Sequence, residues 1–218
     1  VTRLVMEFLQ MAYKNVITTE EELRNIFGFP GDRAVGKEID YIDEHCRTII
    51  RNSPFMILST SSMDGKCDAS PKGDFPGFVR VLDDKTLAVP DLPGNNRLDT
   101  LCNMIENPNV GLIFLIPGMN ETLRVNGRVS LVQDPSLLSE LAFKGKPPKL
   151  AIVVEVEQVY THCAKAFVRS HLWENDTWID RDDLPSFAQM LKDHIGMDQC
   201  DVLEFQNTIN ENLSGNLH

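Results

Sequence analysis

The chain has 218 residues, with 21 Lys and Arg against 32 Asp and Glu, for a net charge of −11. That length fits one domain with appendages, and a hydrophobic share of 42% supports a core. So acidic a chain is excluded as a general binder of nucleic acid or of anionic membranes, which demand a basic surface, yet it is compatible with a small basic pocket for one anion.

Residues 1–6 run Val-Thr-Arg-Leu-Val-Met into Glu7 without the layout of a secretory signal. Thr19-Glu-Glu-Glu22 has the form of a capping box. It predicts a short helix through Phe27, stopped by Gly28 and Pro30. Ile39, Ile42, Cys46, Ile49 and Ile50 recur at helical spacing and predict a second helix over 38–51. Residues 1–52 therefore read as a helical preface.

The period changes from Pro54 onward. A buried strand over 55–60 leads through the Asp64-Gly65 hairpin signal to a strand over 67–72. Strands over 78–82 and 86–90 flank Asp83-Asp84-Lys85, a second hairpin. One helix over 97–106 ends at Asn107-Pro108. Strands over 110–116, 122–132 and 150–159 follow. Hairpin spacing with few helices between strands predicts an antiparallel sheet or barrel. Beyond residue 170 the chain reads as helix-rich, with ten acidic and two basic residues, whereas residues 1–170 carry 22 and 19. The longest apolar run, over 110–119, is about half the length of a bilayer-spanning helix. The five cysteines, at 46, 67, 102, 163 and 200, are widely spaced with no CxxC. They suggest neither a disulfide framework nor a structural zinc site, and a reducing, cytoplasmic compartment fits them.

Three segments could carry chemistry. In Pro93-Gly-Asn-Asn-Arg-Leu-Asp99, a Pro-Gly turn opens a helix with Asn96 as the expected N-cap. Free N–H groups at a helix start attract anions, and Arg97 in the first turn opposes the helix dipole unless an anion compensates it. A phosphate site and a plain capped turn both fit. In Ala69-Ser-Pro-Lys-Gly-Asp-Phe-Pro-Gly77, Pro and Gly predict irregular backbone and Lys72 is free to meet an anion or an electron-rich ring. In Tyr160 to Trp173, His162 and Cys163 lack the partners of a metal site, and Lys165 and Arg169 lie four apart on one helix face. On the strand over 122–132, Leu123, Val125, Val129 and Leu131 point one way. Thr122, Arg124, Asn126, Arg128 and Ser130 point the other, as a solvated outer face would. No GxSxG, Walker-type, HExxH or GxGxxG pattern occurs.

Ser70-Pro-Lys-Gly-Asp74, Pro93-Gly-Asn-Asn-Arg97, Pro117-Gly-Met-Asn-Glu-Thr-Leu-Arg-Val-Asn-Gly127 and the segment from His162 to Trp173 occur in that order. Together they resemble the FMN-binding split-barrel proteins related to pyridoxamine 5′-phosphate oxidase. The likeness covers residues 17–175 and implies a mainly β fold with flanking helices, an antiparallel Greek-key split barrel. It also implies a homodimer with FMN in a groove between subunits. The implied division is a preface over 1–52, a barrel over 53–174 and an acidic helical extension over 175–218. Carried over, Ser70, Pro71, Lys72 and Gly73 line the flavin ring or ribityl chain, and Asn95, Asn96 and Arg97 hold the phosphate. Thr122 and Arg124 face the flavin, and Pro90, Asp91 and Lys165 complete the implied cofactor-binding set. The chain departs from the oxidase at Ala69–Asp74, at Gly94–Leu98, at Glu121-Thr122 and at the C-terminal arginine-histidine signature. The resemblance thus implies FMN binding without implying oxidation of pyridoxamine phosphate. The leading expectation is an FMN-dependent oxidoreductase acting on a small molecule, with a nicotinamide reductant possible. A non-enzymatic flavin or haem storage or sensing protein is the alternative.

Overall fold

The computed structural model describes residues 13–215; the first part of the expected preface and His218 lie outside the described residues. Helix α1 (Glu20–Phe27) has the expected capping box, with Thr19 Oγ1 accepting from Glu22 N–H and the Glu22 carboxylate accepting from Thr19 N–H. Gly28 ends it at φ 71°, donating its N–H to the Arg24 carbonyl. A short helix α2 (Asp32–Gly36) follows.

The helix expected over 38–51 is shorter: α3 spans Glu44–Asn52. Asp43 accepts from Cys46 N–H at 2.8 Å and so caps the helix there. Ile39 instead forms a bridge with Val159, with N···O distances of 3.0 and 2.7 Å. Ile42 is buried all the same. The apolar spacing is met by an extended segment crossing the sheet as well as by a helix.

The seven strands are β1 (Phe55–Ser61), β2 (Cys67–Gly73), β3 (Arg80–Val81), β4 (Thr86–Pro90), β5 (Asn109–Leu115), β6 (Thr122–Val132) and β7 (Ala151–His162). They form one antiparallel sheet in the order β2-β1-β5-β6-β7-β4-β3. The jumps from β1 to β5 and from β4 to β7 give the Greek-key connections of the split barrel, and the sheet's edges, β2 and β3, stay open. The strand expected over 78–82 contracts to Arg80–Val81, because Phe78 N–H turns back to the Phe75 carbonyl. Helix α4 (Asp99–Glu106) lies between β4 and β5, and α5 (Pro135–Glu140) between β6 and β7.

Alternation along the strands sends Met56, Leu58, Leu112, Phe114, Leu123, Val125, Ile152 and Val154 into one core, joined by Ile50 of α3 and Met104 of α4. Each large side chain so buried contributes about 1.5–3 kcal/mol of transfer free energy. Cys46 joins them, and burial, reinforced by Asp43, pushes its thiol up to about 12. On β6 the polar set Arg124, Asn126, Arg128 and Ser130 faces away from this core, as the alternation predicts, while Thr122 is buried.

After β7 come α6 (Lys165–Ser170), two short 3₁₀ turns, α7 (Phe187–Ile195) and α8 (Val202–Gly215). The last two helices pack on each other through the fully buried Ala188, whose N–H donates to Gln206 Oε1 at 3.0 Å. No helix among the described residues is long and apolar enough to cross a membrane.

Two substitutions test this account. A Cβ at Gly127 would sit 2.0 Å from the Glu155 carbonyl oxygen, so Gly127→Ala is expected to cost about 3 kcal/mol in a urea melt. Asp43→Ala removes a cap worth about 1 kcal/mol. The Cys46 N–H holds the Asp43 carboxyl below its usual range, so the cap's contribution is present at neutral pH and is lost as pH falls through that depressed range. Melts at descending pH should show the gap between wild type and variant closing.

Candidate functional site

Strand β2 pairs with β1 in unbroken register from Ser61↔Cys67 to Phe55↔Gly73. The irregular backbone expected there is absent as far as Gly73. Because β2 is an edge strand, Pro71 lacks an N–H where no ladder bond depends on one. The chain leaves the strand at Asp74, whose N–H donates to the Pro54 carbonyl at 3.1 Å. Gly73 fits the close approach at that exit, since a Cβ there would lie 3.2 Å from the Pro54 carbonyl oxygen and 3.3 Å from the Phe55 ring.

Beside β2, the end of β4, the 91–98 loop and the 141–149 connection enclose a cleft of about 810 Å³. That lies within the range of roughly 300–1,000 Å³ for small-molecule sites. Ser70, Pro71, Lys72, Pro90, Asp91, Asn95, Asn96 and Arg97 all line it. Gly73, Thr122, Arg124 and Lys165 do not. Arg124 lies on β6 beside Tyr160 of β7, with its guanidinium 5.7 Å from the ring centroid. Lys37 approaches the same ring at 5.4 Å and donates to the Thr161 carbonyl at 2.7 Å. Lys165 begins α6.

The helix expected to begin at Arg97 begins at Asp99. Asn96 is not its N-cap. Leu98 occupies that position at φ 61°, without a side-chain cap, and Asn96 stands at φ 58°. The Asn95 carboxamide oxygen instead accepts from Arg97 N–H at 3.1 Å. Two left-handed residues two apart make a turn tighter than the Pro-Gly signal implied. For leucine that conformation carries a steric cost of about 1–2 kcal/mol. Arg97 Nε lies 2.7 Å from Asp99 Oδ2, and Lys72 Nζ lies 3.7 Å from Asp91 Oδ1.

Other members of the cleft were not among the expected site residues. Thr100 is buried and donates its hydroxyl to Asp68 Oδ2, tying α4 to β2. Phe75 and Phe143 stack with centroids 5.1 Å apart, joining the loop after β2 to the 141–149 connection. Arg80, Lys146 and Lys149 also line the cleft. The text Lys144-Gly-Lys-Pro-Pro-Lys149, a basic Pro-Gly run in an acidic chain, was the available sign. Five cations and four carboxylates line the cleft, so it is locally cationic in a chain of charge −11.

A family model described as pyridoxamine 5′-phosphate oxidase matches residues 42–163. No curated protein matches the sequence. Among solved structures, HupZ from Group A Streptococcus is similar at 18% identity and a TM-score of 0.46, over 55% of this chain and 93% of that one. A candidate pyridoxamine 5′-phosphate oxidase from Lactobacillus delbrueckii is similar at 19% identity and a TM-score of 0.46, over 56% and 95%. General stress protein 26 from Bacillus anthracis gives 20% identity and a TM-score of 0.41, over 53% and 88%.

The turn at Leu98 can be tested apart from any ligand. Leu98 is 50% exposed, so little burial is lost on replacement, and asparagine adopts the left-handed region more readily. Leu98→Asn should leave stability to urea unchanged or raise it by up to about 1 kcal/mol. A larger loss would show that the side chain, rather than the backbone, holds the turn.

Proposed function

We propose, from the premise that this chain belongs to the pyridoxamine 5′-phosphate oxidase family, that it binds FMN and acts as a flavin-dependent oxidoreductase on a small molecule. The family is one of flavin-binding, oxidoreductase-like proteins. The observation that carries the finer reading is the convergence of Lys72, Asn95, Asn96 and Arg97 on one cleft together with Ser70 and Pro71 of an edge strand.

The residues present fit the cofactor. Arg97, beside the start of α4, offers a fork of donors for a phosphate, and Asn95 and Asn96 supply amides nearby. Lys72 is about one-fifth exposed and sits on the strand wall, where its ammonium can hold negative charge at the edge of a planar ring. Pro71 and the stacked pair Phe75 and Phe143 supply apolar surface for that ring's body. FMN, when bound, supplies the hydride chemistry. The protein's share is to anchor the phosphate, orient the ring and limit water.

Arg124 and Lys165 stand outside the cleft of their own chain, which favours a homodimer in which a second copy presents them; Thr122 is buried in its own chain and takes no part in that. The sheet face that carries Arg124 also carries the part-exposed Phe55, Ile57, Ile113 and Leu115, an apolar surface suited to a second copy. A non-enzymatic flavin carrier or sensor is the second reading. It is favoured by the pairing of Lys72 with Asp91 and of Arg97 with Asp99, which gives these groups a structural and anion-holding role that needs no turnover.

The purified protein is expected to be yellow, or to become so with FMN. Arg97→Ala should weaken FMN by roughly 10- to 100-fold, the scale of a charged hydrogen bond. Unchanged affinity would sink the phosphate assignment. Anaerobic bleaching by NADH or NADPH would favour the enzyme, and a flavin left oxidised by every reductant tried would favour the carrier.

A further inference from the structure

The flavin reading uses only Lys72 and Arg97 of the cations that line the cleft. Both belong to the β2 and 91–98 side, where each faces a carboxylate, Asp91 or Asp99. Arg80, Lys146 and Lys149 belong to β3 and the 141–149 connection. Neither the Arg80 guanidinium nor the Lys149 ammonium has a carboxylate partner among the described residues.

These two cations straddle the end of β4. Arg80 pairs with Ala88 on one side of that strand, and on the other side Pro90 pairs with Ala151, two residues beyond Lys149. Ala88 and Pro90 lie about 7 Å apart along the strand. Residues directly opposite each other across an antiparallel pair share a face. Ala88 packs with Leu141 and Ala151, so Arg80 lies on the face that the 141–149 connection covers.

That connection is built as a fixed wall. Phe143 and Lys146 exchange backbone hydrogen bonds of 3.1 and 2.9 Å around Lys144 and Gly145. Both central residues are left-handed, at φ 47° and 79°, as a two-residue hairpin turn requires. Pro147 and Pro148 then lock φ between Lys146 and Lys149. The Phe75–Phe143 stack holds the tip. At the base, Gln133 Nε2 donates to the Lys149 carbonyl at 3.2 Å and Asp91 N–H donates to the Leu150 carbonyl at 2.9 Å. A backbone set in advance lowers the entropy lost when its side chains take hold of a ligand.

We infer that Arg80 and Lys149 form a second anion subsite, which receives the carboxylate or phosphate of the small molecule that meets the flavin. Its role rests on the FMN reading of the cleft, but its affinity for an anion does not. FMN has one phosphate, and Arg97 with Asn95 and Asn96 accounts for it. A neutral substrate would leave the two cations uncompensated in the cleft, whereas an anionic one is drawn in and held by them. The substrate class is therefore a small organic acid or phosphate ester.

The test titrates the FMN-loaded protein with benzoate and with phenyl phosphate, each an oxyanion on a ring able to lie against a flavin. Benzamide is the neutral control, and flavin difference spectra read the binding. Arg80→Gln and Lys149→Gln remove the charges, Lys149→Arg keeps one, and melting curves establish that each variant is folded. At least one of the two anions should saturate the protein, and benzamide should not. Each Gln variant should weaken that anion about tenfold, the scale of one charged hydrogen bond. Lys149→Arg should stay near wild type, and FMN affinity should be unchanged throughout. Benzamide binding as tightly as the anions overturns the subsite, as does anion binding untouched in both Gln variants. A fall in FMN affinity in those variants assigns the two cations to the cofactor and also overturns it. If wild type takes up FMN but neither anion, the subsite fails and the FMN reading stands. If wild type takes no FMN yet binds an anion in dialysis, with the loss in the Gln variants, the FMN reading fails and the subsite stands.

Discussion

Strands β6 and β7 run against each other from Thr122↔His162 to Val132↔Ala151, interrupted by one bulge at Asn126/Gly127. At the bulge Gly127 pairs with Val156, and the backbone of the two strands comes too close for any side chain at that position. Both neighbours of the pair depend on it. Strand β5 takes its register from β6, and β4 takes its own from β7. The cleft lies at the far ends of the same sheet, with β2 beyond β5 and β1 on one side and Pro90 of β4 on the other. A shift in the central ladder would therefore move the two walls of the cleft relative to each other. A one-residue slip would also turn the core set Leu123, Val125 and Val129 outward. The preface is tied to the same ladder, since Ile39 bridges to Val159 only two residues from the bulge's Glu157.

Charge is organised on a second, smaller scale. The chain is strongly acidic, yet the cleft gathers more cations than carboxylates. Among those cations, Arg97 is paired with a neighbour two residues along the chain and Lys72 across from β2 to the end of β4. Such pairing lets a cationic pocket exist without a bound anion and without the full penalty of clustered like charge. It also means that an anionic ligand exchanges one partner for another rather than meeting a bare charge, so its affinity reports a difference between two anions. In the acidic C-terminal stretch, helices α7 and α8 pack on each other through Ala188 and Gln206.

Much of the architecture was legible in the sequence because it rests on local chemistry. The capping box at Thr19 and Glu22, the Asp64-Gly65 hairpin and the turn over Asp83-Asp84-Lys85 are decided within a few residues. So is the alternation along 122–132. The failures were also local in appearance. Ile39 and Ile42 fit a helical period, but Asp43 withdraws a backbone N–H to start the helix later, and β7 offers Ile39 a bridge instead. Pro71 read as a strand breaker, which holds for a central strand and fails at an edge. Asn96 read as a cap by residue type, while the cap position went to a left-handed leucine that no propensity favours.

By itself the sequence determined the antiparallel β class, the order of the strands along the chain and a short list of candidate anion-binding residues such as Arg97 and Lys72. It did so because spacing, turn chemistry and residue type act over a few positions. Only the tertiary structure decided which of those residues share a cleft. It put Lys72, Asp91, Asn95 and Arg97 together and left Thr122 and Arg124 on β6 and Lys165 at the start of α6, outside it. It also supplied Asp99 as a partner for Arg97 and Thr100 as a partner for Asp68. Strand order across a sheet, and with it the set of side chains that share a cleft, arises from contacts far apart in sequence, which no local pattern encodes.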